Sequence, residues 1–188
     1  MNTHMHEFKV HDLTNAPAES RAELENIKQH QGNIHNVFGV MAESPWLLKG
    51  YVALKNMFEK TTFNKQERKI VLLTASRENG SAYSTAAQSA AAEKHEVTAD
   101  VIEAIRAGKH LGDKKLETLR SFTAKVINSR GQVSDSDIKS FLDAGYTRAN
   151  ILEIVLAAGM VTLTNYTNLI AKTPLDKQLE AKMWKIVS

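Results

Sequence analysis

The residues of this chain whose types and spacing suit chemistry fall in one segment, Glu67 to Ala92, which reads ERKIVLLTASRENGSAYSTAAQSAAA. Two hydroxyls, Ser81 and Ser84, follow directly on Asn79-Gly80, and the carboxylate of Glu67 and the amide of Gln88 flank them. A serine attacks an electrophile only when a general base within hydrogen-bond reach takes its proton. Gln88 cannot accept and pass on a proton at neutral pH, which leaves Glu67 as the base this reading places near the serines. The chain contains no cysteine, so disulfides, thiolate ligands and thiol redox chemistry are all removed together. The plainest reading of NGSAYS is a turn and N-cap between two core helices.

Other candidates are weaker. His4, His6 and His11 have the right side chain for a metal but stand in a terminal stretch with mixed spacing, where a flexible tail over residues 1–16 is expected. His30, His35, His95 and His110 fall near helix ends, where imidazoles bond terminal carbonyls. No metal site and no cofactor is expected. Phe38, Met41, Trp46, Tyr51, Met57 and Phe58 are candidates to line a pocket or to fill core, and Tyr166 and Asn168, polar residues near the end of an apolar helix, should face either the site or a subunit interface.

The elements that hold these residues are helical throughout. Apolar positions recur at helical rather than alternating spacing. The reading places helices at Ala18 to His30, Asn33 to Met41, and onward from Pro45 behind the cap Ser44, with Trp46, Leu47, Tyr51, Leu54 and Phe58 on one apolar face. Asn64 and Glu67 form a capping-box pair that opens a helix through Arg77. An alanine-rich helix, Ala82 to His95, follows, then Thr98 to Ala107, a longer helix closed by Gly131, and one from Ser134 to Gly145. Arg148 to Ala171, apolar nearly all round between Ile151 and Leu163, reads as the central helix, stopped by Pro174, and Asp176 to Trp184 as a final amphipathic helix. The fold class is all-α, a helical bundle, with one domain over residues 17–188.

Composition agrees. The 188 residues, 43% hydrophobic, suffice for one core. The net charge of +3 is spread along the chain and suggests no nucleic-acid partner. No apolar run approaches the roughly 18 residues of a spanning segment, and the N-terminus has no secretory pattern. A cytoplasmic, membrane-free protein is expected.

The layout of Glu67 to Ala92 resembles the signature of the alkylhydroperoxidase D and carboxymuconolactone decarboxylase family. There, a helix that begins with glutamate ends at Asn-Gly, followed by Cys-x-x-Cys, three residues, and histidine. Glu67, Ser76, Asn79, Gly80, Tyr83 and the alanine run match, and NYTNLIAKTPLD resembles the family's closing helix, so the likeness covers Trp46 to Asp176. By position, the two redox cysteines are Ser81 and Ser84 and the relay histidine is Gln88. The relay glutamate of alkylhydroperoxidase D proper falls on Lys69, whereas other relatives carry it at Glu67.

The resemblance implies a helical bundle, a trimer-based or hexameric homo-oligomer, and reduction of small hydroperoxides. In the family a thiolate becomes a sulfenic acid that its partner thiol resolves, with a dithiol as reductant. With both thiols replaced by hydroxyls, the sequence as written is expected to be catalytically silent. The replacements suit either a deliberately inactivated variant or a naturally redox-inactive relative. A cysteine-free binding or assembly protein is the alternative, and a cysteine-independent decarboxylase a more distant one.

Overall fold

The computed structural model describes residues 7–185. Helices α1 (Ala18–Gln31), α2 (Asn36–Met41) and α3 (Pro45–Phe58) precede a central pair, α4 (Lys65–Glu78) and α5 (Ala82–Lys94). They are followed by α6 (Ala99–Ala107), α7 (Lys114–Asn128), α8 (Asp135–Asp143) and the long α9 (Arg148–Ala171), then a short 3-10 helix, Lys177–Lys182. No strand occurs among the described residues. The all-α bundle read from the sequence is the observed fold.

Helix α4 sits at the middle because it can. Every residue from Ile70 to Ser76 is buried, and α4 packs against α5, α6, α7 and α9. Its start is fixed by the capping box: the Glu67 N–H donates to Asn64 Oδ1 at 2.8 Å and the Asn64 N–H donates to Glu67 Oε2 at 3.0 Å. Small side chains on α5, among them Ala86 and Ala92, are buried and allow close approach to its neighbours. Helix α8 buries only Phe141. That ring stacks between Phe122, 4.4 Å away, and Tyr146, 4.6 Å away, which ties α8 to α7.

Several expectations differ from the structure. Within the stretch read as a flexible tail, His11 and Ala16 are buried. The His11 N–H donates to the Gly39 carbonyl at 3.2 Å, and its ring bonds Asn15 and Glu43. A Cβ on Gly39 would lie 2.6 Å from the His11 carbonyl oxygen, so only glycine admits this segment onto α2. His4 and His6 lie outside the described residues. Helix α2 begins at Asn36 rather than Asn33, and the C-terminal segment forms a 3-10 helix instead of an amphipathic α-helix.

Helix α9 is long and apolar enough to cross a membrane by length and composition. Here its inner side, with Ile154, Ala157, Met160 and Val161, packs into the bundle. It is not buried all round. Leu152, Val155, Gly159, Tyr166 and Leu169 are exposed in one 3-4 spaced stripe; Leu152 is 69% exposed. Trp46 on α3, read as core-facing, is 81% exposed, and Met57 is exposed too.

The loop between α6 and α7 is closed by Glu117. It accepts from the Leu111 N–H and from both Arg120 Nε and Nη2, at 2.6 to 2.8 Å, and pairs with His110. Burial opposes its charge, but these donors outweigh burial and hold its pKa down to about 2 from 4.5. A depressed carboxylate contributes stability that is fully present above its ordinary pKa and lost as pH falls through the folded value. Urea midpoints of the parent and Glu117→Gln should therefore differ most near neutrality and converge as pH drops from 4.5 to about 2. A gap independent of pH would show that Glu117 acts without its charge.

Candidate functional site

The turn between α4 and α5 presents Ser81 and Ser84 as a consequence of how α4 ends. The Ser81 N–H donates to the Ser76 carbonyl at 3.2 Å and the Gly80 N–H to the Arg77 carbonyl at 2.9 Å, the two bonds of a Schellman closure. This closure needs a left-handed residue, supplied by Gly80 at φ 68. The turn delivers Ser81 straight into the N-cap of α5, where its hydroxyl oxygen accepts from the Ser84 N–H at 3.3 Å. Ser81 Oγ donates to Ser84 Oγ at 3.0 Å, and Asn168 Nδ2, from α9, donates to the same oxygen at 3.0 Å. Both serines are buried.

Ser84 and Gln88, one helical turn apart, line a cavity of about 640 Å³ between α3, α4, α5 and α9. Phe38, Tyr51, Phe58, Leu72 and Met160 form its apolar wall. Ser81 lies behind Ser84 and does not itself line the cavity. Asn168 faces the site, whereas Tyr166, its neighbour in sequence, points outward and is half exposed. Of the other candidates for the pocket, Met41 is core, and Trp46 and Met57 are at the surface.

Glu67 is not part of this site. Its carboxylate caps α4, pairs with Lys115 at 3.6 Å and, with burial and Asp113, pushes the Tyr146 phenol upward. Two residues along a helix rotate a side chain by roughly 200°, so it is Lys69 that faces the cavity. Burial is the largest influence on Lys69 and lowers its pKa; Lys55 and Arg68 push the same way and Glu59 opposes them.

A second polar group lies behind the cavity wall at His35 and Tyr83, and local sequence gives no signal for it. Asp176, beyond α9, accepts from the Asn36 N–H at the start of α2 at 3.0 Å and from the Tyr83 hydroxyl of α5. His35 lies 3.5 Å from the same carboxylate. Burial works against the Asp176 charge, but His35, Tyr83 and the Asn36 N–H outweigh it and hold the pKa below the ordinary value. Tyr83 is pushed well above its ordinary value, first by burial and then by Asp176. Burial, helped by Glu59, moves Tyr51 up to about 12. His30 bonds the carbonyl of Asn26, one turn back inside α1, rather than one of the helix's terminal carbonyls. His35 and His110 pair with carboxylates instead.

The fold is similar to that of solved helical proteins built on the alkylhydroperoxidase D core. The structure superposes on the alkylhydroperoxidase D core of an uncharacterized peroxidase-related protein from Ralstonia eutropha JMP134, with a TM-score of 0.82 and 18% identity over 95% of this chain and 97% of that one. An uncharacterized peroxidase-related protein from Silicibacter sp. TM1040 gives a TM-score of 0.77 and 19% identity over 92% and 91%. A variant of the debrominase Bmp8 in complex with 2,3,4-tribromopyrrole gives 0.75 and 15% over 97% and 96%. No protein-family model matches the chain, and no curated protein matches it. At these identities the likeness is one of fold.

Proposed function

We propose that this chain is a hydroperoxide-reductase scaffold of the alkylhydroperoxidase D type whose redox centre is silent, with two hydroxyls standing where that chemistry uses two thiols. The supporting observation is the pair Ser81 Oγ and Ser84 Oγ, 3.0 Å apart at the N-terminus of α5 beneath an open cavity. Thiols on the same two carbons would be within reach of disulfide closure. A hydroxyl has no sulfenic state, so the parent reduces no peroxide. The direct test is the pair Ser81→Cys and Ser84→Cys treated with peroxide. Mass spectrometry should find the loss of two hydrogens as a disulfide, while the parent remains unchanged. Two free or over-oxidised thiols would count against the assignment.

The second reading, a cysteine-free binding protein, is favoured by the same cavity. It remains open and lined by polar groups although the thiols are gone. In either reading the protein is cytoplasmic and self-associates.

Assembly follows from the outer stripe of α9. Leu152, Val155, Gly159, Thr162, Tyr166 and Leu169 repeat at alternating three- and four-residue steps, the seam spacing of helices that pack on one another. A Cβ on Gly159 would meet nothing within 4 Å, so the seam has space for a neighbouring backbone. Ile170, Trp46 and Met57 are further exposed apolar side chains. Light scattering at micromolar concentration is expected to give a multiple of 20.9 kDa, a trimer or hexamer. Leu152→Glu with Leu169→Glu should reduce it to the single-chain mass. A parent that is monomeric at those concentrations rules the seam out.

A further inference from the structure

The cavity's polar groups are poorly matched to one another, and the mismatch has a pattern. Lys69, half-buried on the wall, has no hydrogen bond and no carboxylate within 4 Å among the described residues. Of the other cations nearby, Lys94 is exposed to solvent and the rest are compensated or turned elsewhere. Lys55 is tied to Glu59 at 2.8 Å, and Arg68 donates to the carbonyls of Phe63 and Thr61. Those carbonyls carry no net charge, so Glu59 is the one carboxylate on a wall that also holds Lys55, Arg68, Lys69 and Lys94. The surplus is positive.

Deeper in, Asn168 is 6% exposed. Its Nδ2 is used on Ser84 Oγ, but its Oδ1 has no hydrogen-bond partner. A buried acceptor left unpaired carries a desolvation cost, which a ligand donor would recover. Phe38, Tyr51, Phe58 and Met160 line the same cavity as Lys69 and Asn168 and give it an apolar surface.

We infer that the cavity binds an organic carboxylate with an apolar body and a hydroxyl or amine at its inner end, the carboxylate on Lys69 and the inner donor on Asn168 Oδ1. This rests on the binding reading of the site and not on any redox role of Ser81 and Ser84, and no bond is made or broken.

Three probes of one chain length separate the contributions by calorimetry: ω-hydroxydecanoate, decanoate and decanol. The parent should bind them in that order, with each step worth roughly tenfold in affinity. Lys69→Met keeps the side chain's length and removes its charge. It should abolish the preference for decanoate over decanol while leaving the advantage of the ω-hydroxyl intact. Asn168→Ala should do the reverse, and the probe series on the parent remains decisive if that variant folds poorly. Equal affinities for decanoate and decanol in the parent, or a Lys69→Met variant that still discriminates between them, would overturn the carboxylate assignment while leaving a binding pocket. No binding of any probe would overturn both. Ordered binding by a protein whose cysteine variants never form a disulfide would uphold this inference and reject the redox ancestry alone.

Discussion

Ser81→Cys, Ser84→Cys and Gln88→His, introduced together, are expected to give a dithiol-dependent peroxidase where the parent shows no activity above buffer. Each change supplies a different requirement: a resolving thiol, an attacking thiol, and a base one helical turn from the attacker on the cavity wall. Ser84→Cys alone should consume one equivalent of peroxide and stop at the sulfenic acid. The cysteine pair with Gln88 retained should turn over slowly, its rate rising with pH toward the unperturbed thiol pKa of about 8.5. The histidine should add roughly 10² or more at neutral pH. The structure also separates the two positions that could carry the relay glutamate. Lys69→Glu on the triple variant should raise its rate further, because position 69 faces the cavity. Glu67→Gln should leave the rate unchanged and cost little stability, because the glutamine oxygen can still accept from the Asn64 N–H at the α4 cap. Peroxide consumption driven by a dithiol, across mildly acidic to mildly alkaline pH, measures all of these. A parent as active as the triple variant would remove Ser81, Ser84 and Gln88 from the site.

The second large effect is on stability. Phe141→Ala should lower it by about 3 to 5 kcal/mol, roughly 6 to 20 °C in Tm. Phe141 is fully buried and is the one buried residue of α8, stacked between Phe122 and Tyr146. Alanine would leave a void between two rings held by separate elements and would release the helix that carries it. Trp46→Ala, though it removes a larger side chain, should cost under about 0.5 kcal/mol in the isolated chain, since Trp46 is mostly in solvent. Thermal melts at neutral pH compare the two. A Phe141→Ala variant that melts with the parent would make α8 an appendage with no part in the cooperative core.

The contrast between these two aromatics also shows what the sequence discloses. Local chemistry was legible. The Asn64 and Glu67 capping box, the Ser44 cap with Pro45, and the span of α9 from Arg148 to Ala171 all stand where reading the residues puts them. Each rests on interactions within a few positions. Which side of a helix meets a partner is a different matter. Trp46 belongs to an apolar pattern but lies on the outside, and Glu67 and Lys69 stand two residues apart on opposite faces of α4. The Asp176 link to Asn36 spans 140 residues and has no local signature. The same holds for His11, whose place on α2 depends on the missing side chain of Gly39.

Helix α9 sets its two faces to different uses within a single turn. Asn168 reaches inward to Ser84, and Leu169 and Ile170 point outward. A second chain seated on the outer stripe and a molecule held in the cavity would both act on the rotation and position of the same rigid rod. Thermodynamic linkage makes such an influence mutual: whatever factor occupancy of the cavity changes self-association by, self-association must change occupancy by the same factor. Were both to bind, subunit concentration would control loading and loading would control subunit exchange, with α9 as the shared element.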